Sequence, residues 1–279
     1  MAYEISFVDN ADTVLAMCKM VDRVKTLALA NGWTALRDVT ATDSREVILK
    51  GVGLTGLEEI YVGLKTYYNS GSDYYNILVG GFTGYVSGNT FETQPNAYLS
   101  GVPAHNNRID YWLVVNTQRI VCAMKVGTPV YESFYVGKIF PYGRPSQYPY
   151  PLLVSGALTG AAPTRFSDTV HQFCVRGAAQ ARMALRNNEG WILPYANPYD
   201  NTTLAGATAS IRDTNGKYHL MQIELYQTGG LYGVMDGCYH ITGFNNTVEN
   251  TVVIGGVTHV VIQNVWRTGF PDYFALRLE

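Results

Sequence analysis

The stretch from Tyr131 to Leu152, YESFYVGKIFPYGRPSQYPYPL, restricts the fold more than any other part of the chain. Pro141, Pro145, Pro149 and Pro151 each fix φ and remove a backbone donor. The residues before them, Phe140, Arg144, Tyr148 and Tyr150, are steered toward extended conformations. The segment therefore reads as neither a helix nor a central strand, but as a stiff extended arm carrying large aromatic side chains. Ordering such an arm against another surface costs little entropy. No catalytic motif of comparable specificity occurs in the sequence. The chain reads as a protein that works by being assembled, not as an enzyme.

Composition supports that reading. Hydrophobic residues make up 47% of the 279, enough for a sizeable core, while charged residues are only 15%, against roughly 25% in an average soluble domain. Between Ile60 and Asn107 the only charged residues are Lys65, Asp73 and Glu92. A lone monomer keeps more charge on its surface for solubility, so low charge with abundant Tyr, Asn and Gly suits surfaces buried in an assembly. The net charge of -2 argues against nucleic acid as a partner. No apolar run approaches the roughly 20 residues of a membrane helix. The start, MAYEISFVDN, lacks the basic and apolar regions of a signal peptide. Cys18, Cys122, Cys174 and Cys238 are widely spaced, which fits reduced, buried thiols made in a cytoplasm.

Val14, Met17, Val21, Val24 and Ala28 recur at helical spacing. They predict a helix from about Asp12 to Ala30, capped by Asn10 or Asp12 and stopped at Asn31-Gly32. Strands dominate afterwards, at Glu46–Lys50, Glu59–Thr66 and Tyr75–Val79. Tyr111–Val115 and Arg119–Val126 flank a short turn and read as a hairpin. Ala209–Arg212 with Tyr218–Tyr226, across Asn215-Gly216, reads likewise, as does Thr251–Ile254 with Val257–Asn264 across Gly255-Gly256. A last strand is expected at Tyr273–Leu278, and Gly177–Arg186 is a second, short helical candidate. The fold class is α+β, mostly β: an N-terminal helix packed on an antiparallel sheet, then a hairpin-rich C-terminal β part. Residues 1–156 would form the first part, with the arm at 131–152, and residues 163–279 the second; one shared core is the alternative.

Candidate chemistry is sparse. Gly51-Val52-Gly53-Leu54-Thr55-Gly56 matches GxGxxG, but a dinucleotide site needs a helix to open next, and Leu57–Thr66 reads as strand. A glycine-rich turn is the better reading. His105, His171, His219, His240 and His259 show no metal-ligand spacing, and there is no CxxC. His171 and Cys174 are three apart, a spacing common by chance. Glu58 and Glu59 are adjacent, so in a strand they face opposite sides and cannot act as paired acids. Asp213-Thr214-Asn215-Gly216 lacks the later ligands of a calcium loop. The sequons at Asn201 and Asn245 accompany no secretion signal. No cofactor, metal or catalytic residue is therefore expected. The 21 tyrosines suit subunit contacts first, core second and a sugar-binding groove third.

Three blocks carry a resemblance. RIDYWLVVNTQRIVCAMKVGTPVYESFYVGKIFPYGRPSQYPYPLLVSG (Arg108–Gly156), the stretch from Leu231 to Glu279 with QNVWRTG, and EVILKGVGLTGLEEIYVGLKTYYNSGSDYYNILVGGFTGY (Glu46–Tyr85) resemble a virion structural protein family of tailed bacteriophages and prophages. Together they span about half of the chain, in the family's order. The resemblance implies a particle component encoded among tail or baseplate genes, with no enzymatic activity. It implies a structural subunit of the tail, most readily in the baseplate, binding tube, sheath or neighbouring subunits as a homo-oligomer in a symmetric ring. The protein would be made in the host cytoplasm and end in the virion. Alternatives are a neck or collar protein, a head decoration protein, and a carbohydrate-binding or wall-degrading tail module. Tyr142, Tyr148, Tyr150 and Trp266 are the expected contact residues.

Overall fold

Along Tyr111–Val115 and again along Ile120–Met124 every side chain is apolar or aromatic, a pattern that requires burial on both faces of a sheet. The computed structural model, which describes residues 2–143, 152–168, 173–174, 182–200, 204, 218–228 and 230–278, places this stretch in the middle of three stacked layers. The first strand is β1 (Ala2–Val8), followed by the helix α1 (Ala16–Leu29). Then come β2 (Thr34–Thr40), β3 (Arg45–Gly51), β4 (Ile60–Asn69), β5 (Tyr74–Phe82) and β6 (Tyr98–Pro103). Next are β7 (Ile109–Val115), β8 (Arg119–Lys125), β9 (Tyr131–Lys138), β10 (Phe140–Pro141), β11 (Leu152–Ser155) and β12 (Leu158–Thr159). The second half adds β13 (Met183–Arg186), β14 (Trp191–Ile192), β15 (Tyr195–Asn197), β16 (Met221–Gln227) and β17 (Gly230–His240). It closes with β18 (Thr251–Ile254), β19 (Val257–Gln263) and β20 (Tyr273–Arg277).

The central sheet runs β1-β7-β8-β9-β11-β13-β14. A second sheet runs β12-β6-β5-β4-β3-β2, and a third runs β15-β16-β17-β20-β19-β18, with β10 added on β17. Among the described residues neighbouring strands of the three sheets pair antiparallel, so the fold class is as expected: mostly β, with the helix α1 packed on antiparallel sheets.

Side-chain alternation in the central sheet divides two cores. Leu113, Val115, Ile120, Cys122, Met124, Phe134 and Val136 face the helix and the second sheet. Trp112, Val114, Val121, Ala123, Tyr131, Tyr135 and Leu153 face the third sheet, meeting Ile223, Leu225, Ile262 and Phe274. Each large apolar side chain buried in this way contributes about 1.5–3 kcal/mol. The parts expected at 1–156 and 163–279 meet in one sheet, where β13 pairs with β11, and the second core draws on both.

Three expectations need correction. The segment Tyr131–Lys138 is no arm: β9 lies inside the central sheet, between β8 and β11, with Tyr131, Phe134 and Tyr135 buried. Its prolines all come later, at Pro141 and beyond, so nothing in Tyr131–Lys138 prevents a ladder. Of the helical candidate Gly177–Arg186, residues 177–181 lie outside the described residues, and Met183–Arg186 is a strand, β13, because pairing with β11 outweighs the helix propensity of Met, Ala, Leu and Arg. The first helix begins at Ala16, not Asp12, and neither Asn10 nor Asp12 caps it. Leu15 is extended there, Asp12 Oδ1 accepts from Val14 N, and Asn106 Oδ1 from a distant loop accepts the Ala16 N–H at 3.1 Å. The stop is where Asn31-Gly32 placed it, with Gly32 at φ 85°. The Asn215-Gly216 turn lies outside the described residues; the Gly255-Gly256 turn joins β18 to β19. Among the described residues no helix is long and apolar enough to cross a membrane.

One polar group crosses the second core. Asp236 on β17 accepts from Arg119 Nε at 3.1 Å, Asn116 Nδ2 at 2.8 Å and Gln118 Nε2 at 2.9 Å. All four residues are buried. A buried carboxylate needs such partners, since an unpaired charge in a core is costly. Gly237 follows Asp236 at φ 72°, and a Cβ there would collide with the Arg119 guanidinium. The central and third sheets are thus held in register by charge as well as by apolar contact.

Candidate assembly surfaces

Tyr142 lies just past β10, which pairs with β17 through Phe140↔Val234 and Pro141↔Gly233. The glycine at 233 admits this short strand, because a Cβ there would strike the Phe140 carbonyl. Tyr142 N then donates to Tyr232 O at 3.0 Å, and its hydroxyl donates to Glu224 Oε1 at 2.8 Å. Partial burial and the Glu224 carboxylate push the phenol up to about 12. The ring is still 50% exposed, next to exposed Phe140 and Leu231. Tyr142 is therefore an oriented aromatic side chain, held at its tip and open on its face.

Trp266 follows β19 and is 47% exposed. Its position is set by Val265, whose N–H donates to Tyr131 O at 3.0 Å while Tyr131 N donates to Val265 O at 3.1 Å. Val265 holds φ at 58°, a left-handed conformation that a β-branched residue adopts only under constraint from its surroundings. The Arg267 guanidinium lies 5.7 Å from the Trp266 ring centre, a cation–π distance. Phe270, also exposed, meets Phe244 edge-on at 5.1 Å.

These two expected contact residues do not form one patch. Trp266 neighbours the Tyr131 end of β9, and Tyr142 follows its Lys138 end. At about 3.3 Å per residue, the two ends are roughly 23 Å apart. Tyr148 and Tyr150 lie outside the described residues.

Two exposed apolar sites were not anticipated. Tyr3, Ile5 and Phe7 on β1 are each about half exposed. Their alternation with Ala2, Glu4 and Ser6 is a period-two strand signal that a search for signal peptides passes over. Leu54 and Leu57 project from the turn between β3 and β4, Leu57 at 90% exposure. That turn is the GxGxxG match, and a strand follows it, with no helix to receive a pyrophosphate. It is anchored by Gly53 N donating to Thr117 O and by an ion pair of Glu58 with Lys138. Glu59 pairs separately with Lys50.

The remaining chemistry-bearing residues are built into cores. All four cysteines are buried and free, and burial pushes the Cys18, Cys122, Cys174 and Cys238 thiols up, away from the reactive thiolate. Cys174 sits in a turn at φ 61°, and His171 lies outside the described residues. Among the described residues no group of His, Cys, Asp and Glu is arranged to hold a metal.

His240 is buried edge-on to Tyr199 at 5.4 Å, and burial pushes its imidazole from 6.5 down to about 4. Between those values the unfolded chain binds a proton that the folded chain refuses. Stability therefore falls as pH drops through that window, by up to about 3 kcal/mol at its acid end. Urea unfolding at about pH 7 and about pH 4.5 checks this: the wild type should lose more on acidification than His240→Gln. Equal losses would exclude His240 as a source of acid sensitivity.

No protein-family model matches this chain, and no curated protein matches it in sequence.

Proposed function

We propose that this protein is a structural subunit of a bacteriophage tail, seated in the baseplate, where it binds tube, sheath or neighbouring subunits in a symmetric ring. The observation that carries the reading is the spacing of its exposed apolar side chains. Tyr142 and Trp266 stand near opposite ends of β9, each tied to the three-sheet frame by backbone hydrogen bonds of its own or of its neighbour. A ring subunit needs separate contacts for its two neighbours, since one heterologous contact must be repeated until the rotation closes. Oriented aromatic side chains on a rigid frame suit such contacts, because little freedom remains to be lost on assembly. The resemblance of three sequence blocks to phage virion proteins and the low charge content point the same way.

The test is incorporation. Tyr142→Ala and Trp266→Ala should each change folding stability by only about 0.5 kcal/mol, as exposed positions do, and leave the circular dichroism unchanged. Each should lower incorporation into particles in a complementation assay. Truncating an interface anchor costs about 2 kcal/mol, or roughly thirtyfold in affinity. Wild-type incorporation of both folded variants would remove these residues from the assembly role.

A further inference from the structure

The outer edge of the central sheet has no strand beyond it among the described residues. β1 ends that sheet, and among the described residues no backbone hydrogen bond of Ala2–Val8 lies outside its ladder with β7. Folded proteins blunt such edges with charged side chains, especially lysine, with proline, with a bulge or with a covering helix. β1 contains neither lysine nor proline, and its register with β7 is unbroken over all seven residues. Tyr3, Ile5 and Phe7 lie on one face, on the side of Val114 and Trp112, and remain about half exposed. The edge therefore offers both free ladder groups and an apolar stripe.

We propose that β1 pairs antiparallel with β1 of a second copy of this chain, about a two-fold axis at Ile5. The sequence is self-complementary in that register. Ile5 meets its own copy, Tyr3 meets the partner copy's Phe7, and Ala2 meets Val8, so all seven residues are paired. Aromatic cross-strand pairs of this kind stabilise a sheet. The charge pattern selects the same register. Glu4 is the only charged residue of β1 and lies opposite Ser6 of the copy. It is also compensated within its own chain, by Arg23 Nη2 at 2.6 Å and by the Tyr111 hydroxyl. Sliding the axis to Glu4 would oppose two carboxylates, and sliding it to Ser6 would leave Ala2 and Tyr3 unpaired. The axis at Ile5 keeps the three large side chains of both copies on one face and makes the two central sheets continuous. The pairing is isologous, so it stands apart from the tail assignment and holds or fails without it.

The test uses the full chain in solution. Sedimentation should show a dimer, and Ile5→Lys, which sets two like charges opposite each other, should weaken it by about tenfold or more while leaving the circular dichroism unchanged. Ile5→Cys should form an intermolecular disulfide under mild oxidation, against a background of four buried thiols. Tyr3→Cys should not, because the two copies of residue 3 are offset by four positions, roughly 13 Å. A monomeric wild type, a dimer indifferent to Ile5→Lys, or equal crosslinking at positions 3 and 5 would each overturn the proposal.

Discussion

Replacing Asp236 with leucine is expected to destabilise the fold by about 3–5 kcal/mol, the cost of leaving a buried cation without its counter-charge. Three donors converge on this carboxylate, from Asn116, Gln118 and Arg119. Arg119 is fully buried, so solvent cannot replace the lost partner. The double variant Arg119→Met with Asp236→Leu should recover much of the loss, because it removes the charge together with its partner. Asn116 and Gln118 keep their unmet amides in that variant, so recovery stays incomplete. Equilibrium urea unfolding of the two single variants and the double variant closes the cycle. A loss below about 1 kcal/mol for Asp236→Leu would show that the two sheets are not joined by this pair.

Phe134→Ala is expected to cost about 3–5 kcal/mol, the range for deleting a buried ring from a close-packed core. Phe134 is fully buried on β9, opposite Cys122 of β8, and faces the helix-side core. The contrast with Tyr142→Ala is the informative part. Both residues belong to the proline- and tyrosine-rich stretch, yet only one is a core residue. If Tyr131–Lys138 were an external arm, both variants would unfold at the same denaturant concentration as the wild type. Denaturation midpoints measured side by side decide this directly.

What was legible in the sequence was local. The β7–β8 and β18–β19 hairpins follow from apolar runs broken by short turns, and the helix follows from the spacing of Met17, Val21, Val24 and Ala28. Pairing between distant segments was not legible. Met183–Arg186 is made of good helix formers and becomes a strand only because Leu153 and Val154 offer it a ladder. The start of the helix was misjudged for a similar reason: its first amide is satisfied by Asn106, ninety residues away. The proline argument does not reach back across β9, which lies before the first of the four prolines, and residues 144–151 lie outside the described residues. At the surface, Tyr142 and Trp266 are about half exposed, and their placement at opposite ends of β9 depends on β10 docking on β17 and on the Val265–Tyr131 bridge. Neither contact leaves a mark in the local sequence. The buried Asp236 was equally hidden, because one aspartate in VMDGCYH carries no pattern of its own.

Quantitative mass spectrometry of purified particles, with the portal protein as the internal count, decides whether this chain is the phage-tail subunit we propose. A baseplate subunit should be present at a small fixed ratio to the portal protein, as one or a few rings would give. Particles that lack the chain, or that carry it in numbers matching the head lattice, would contradict it.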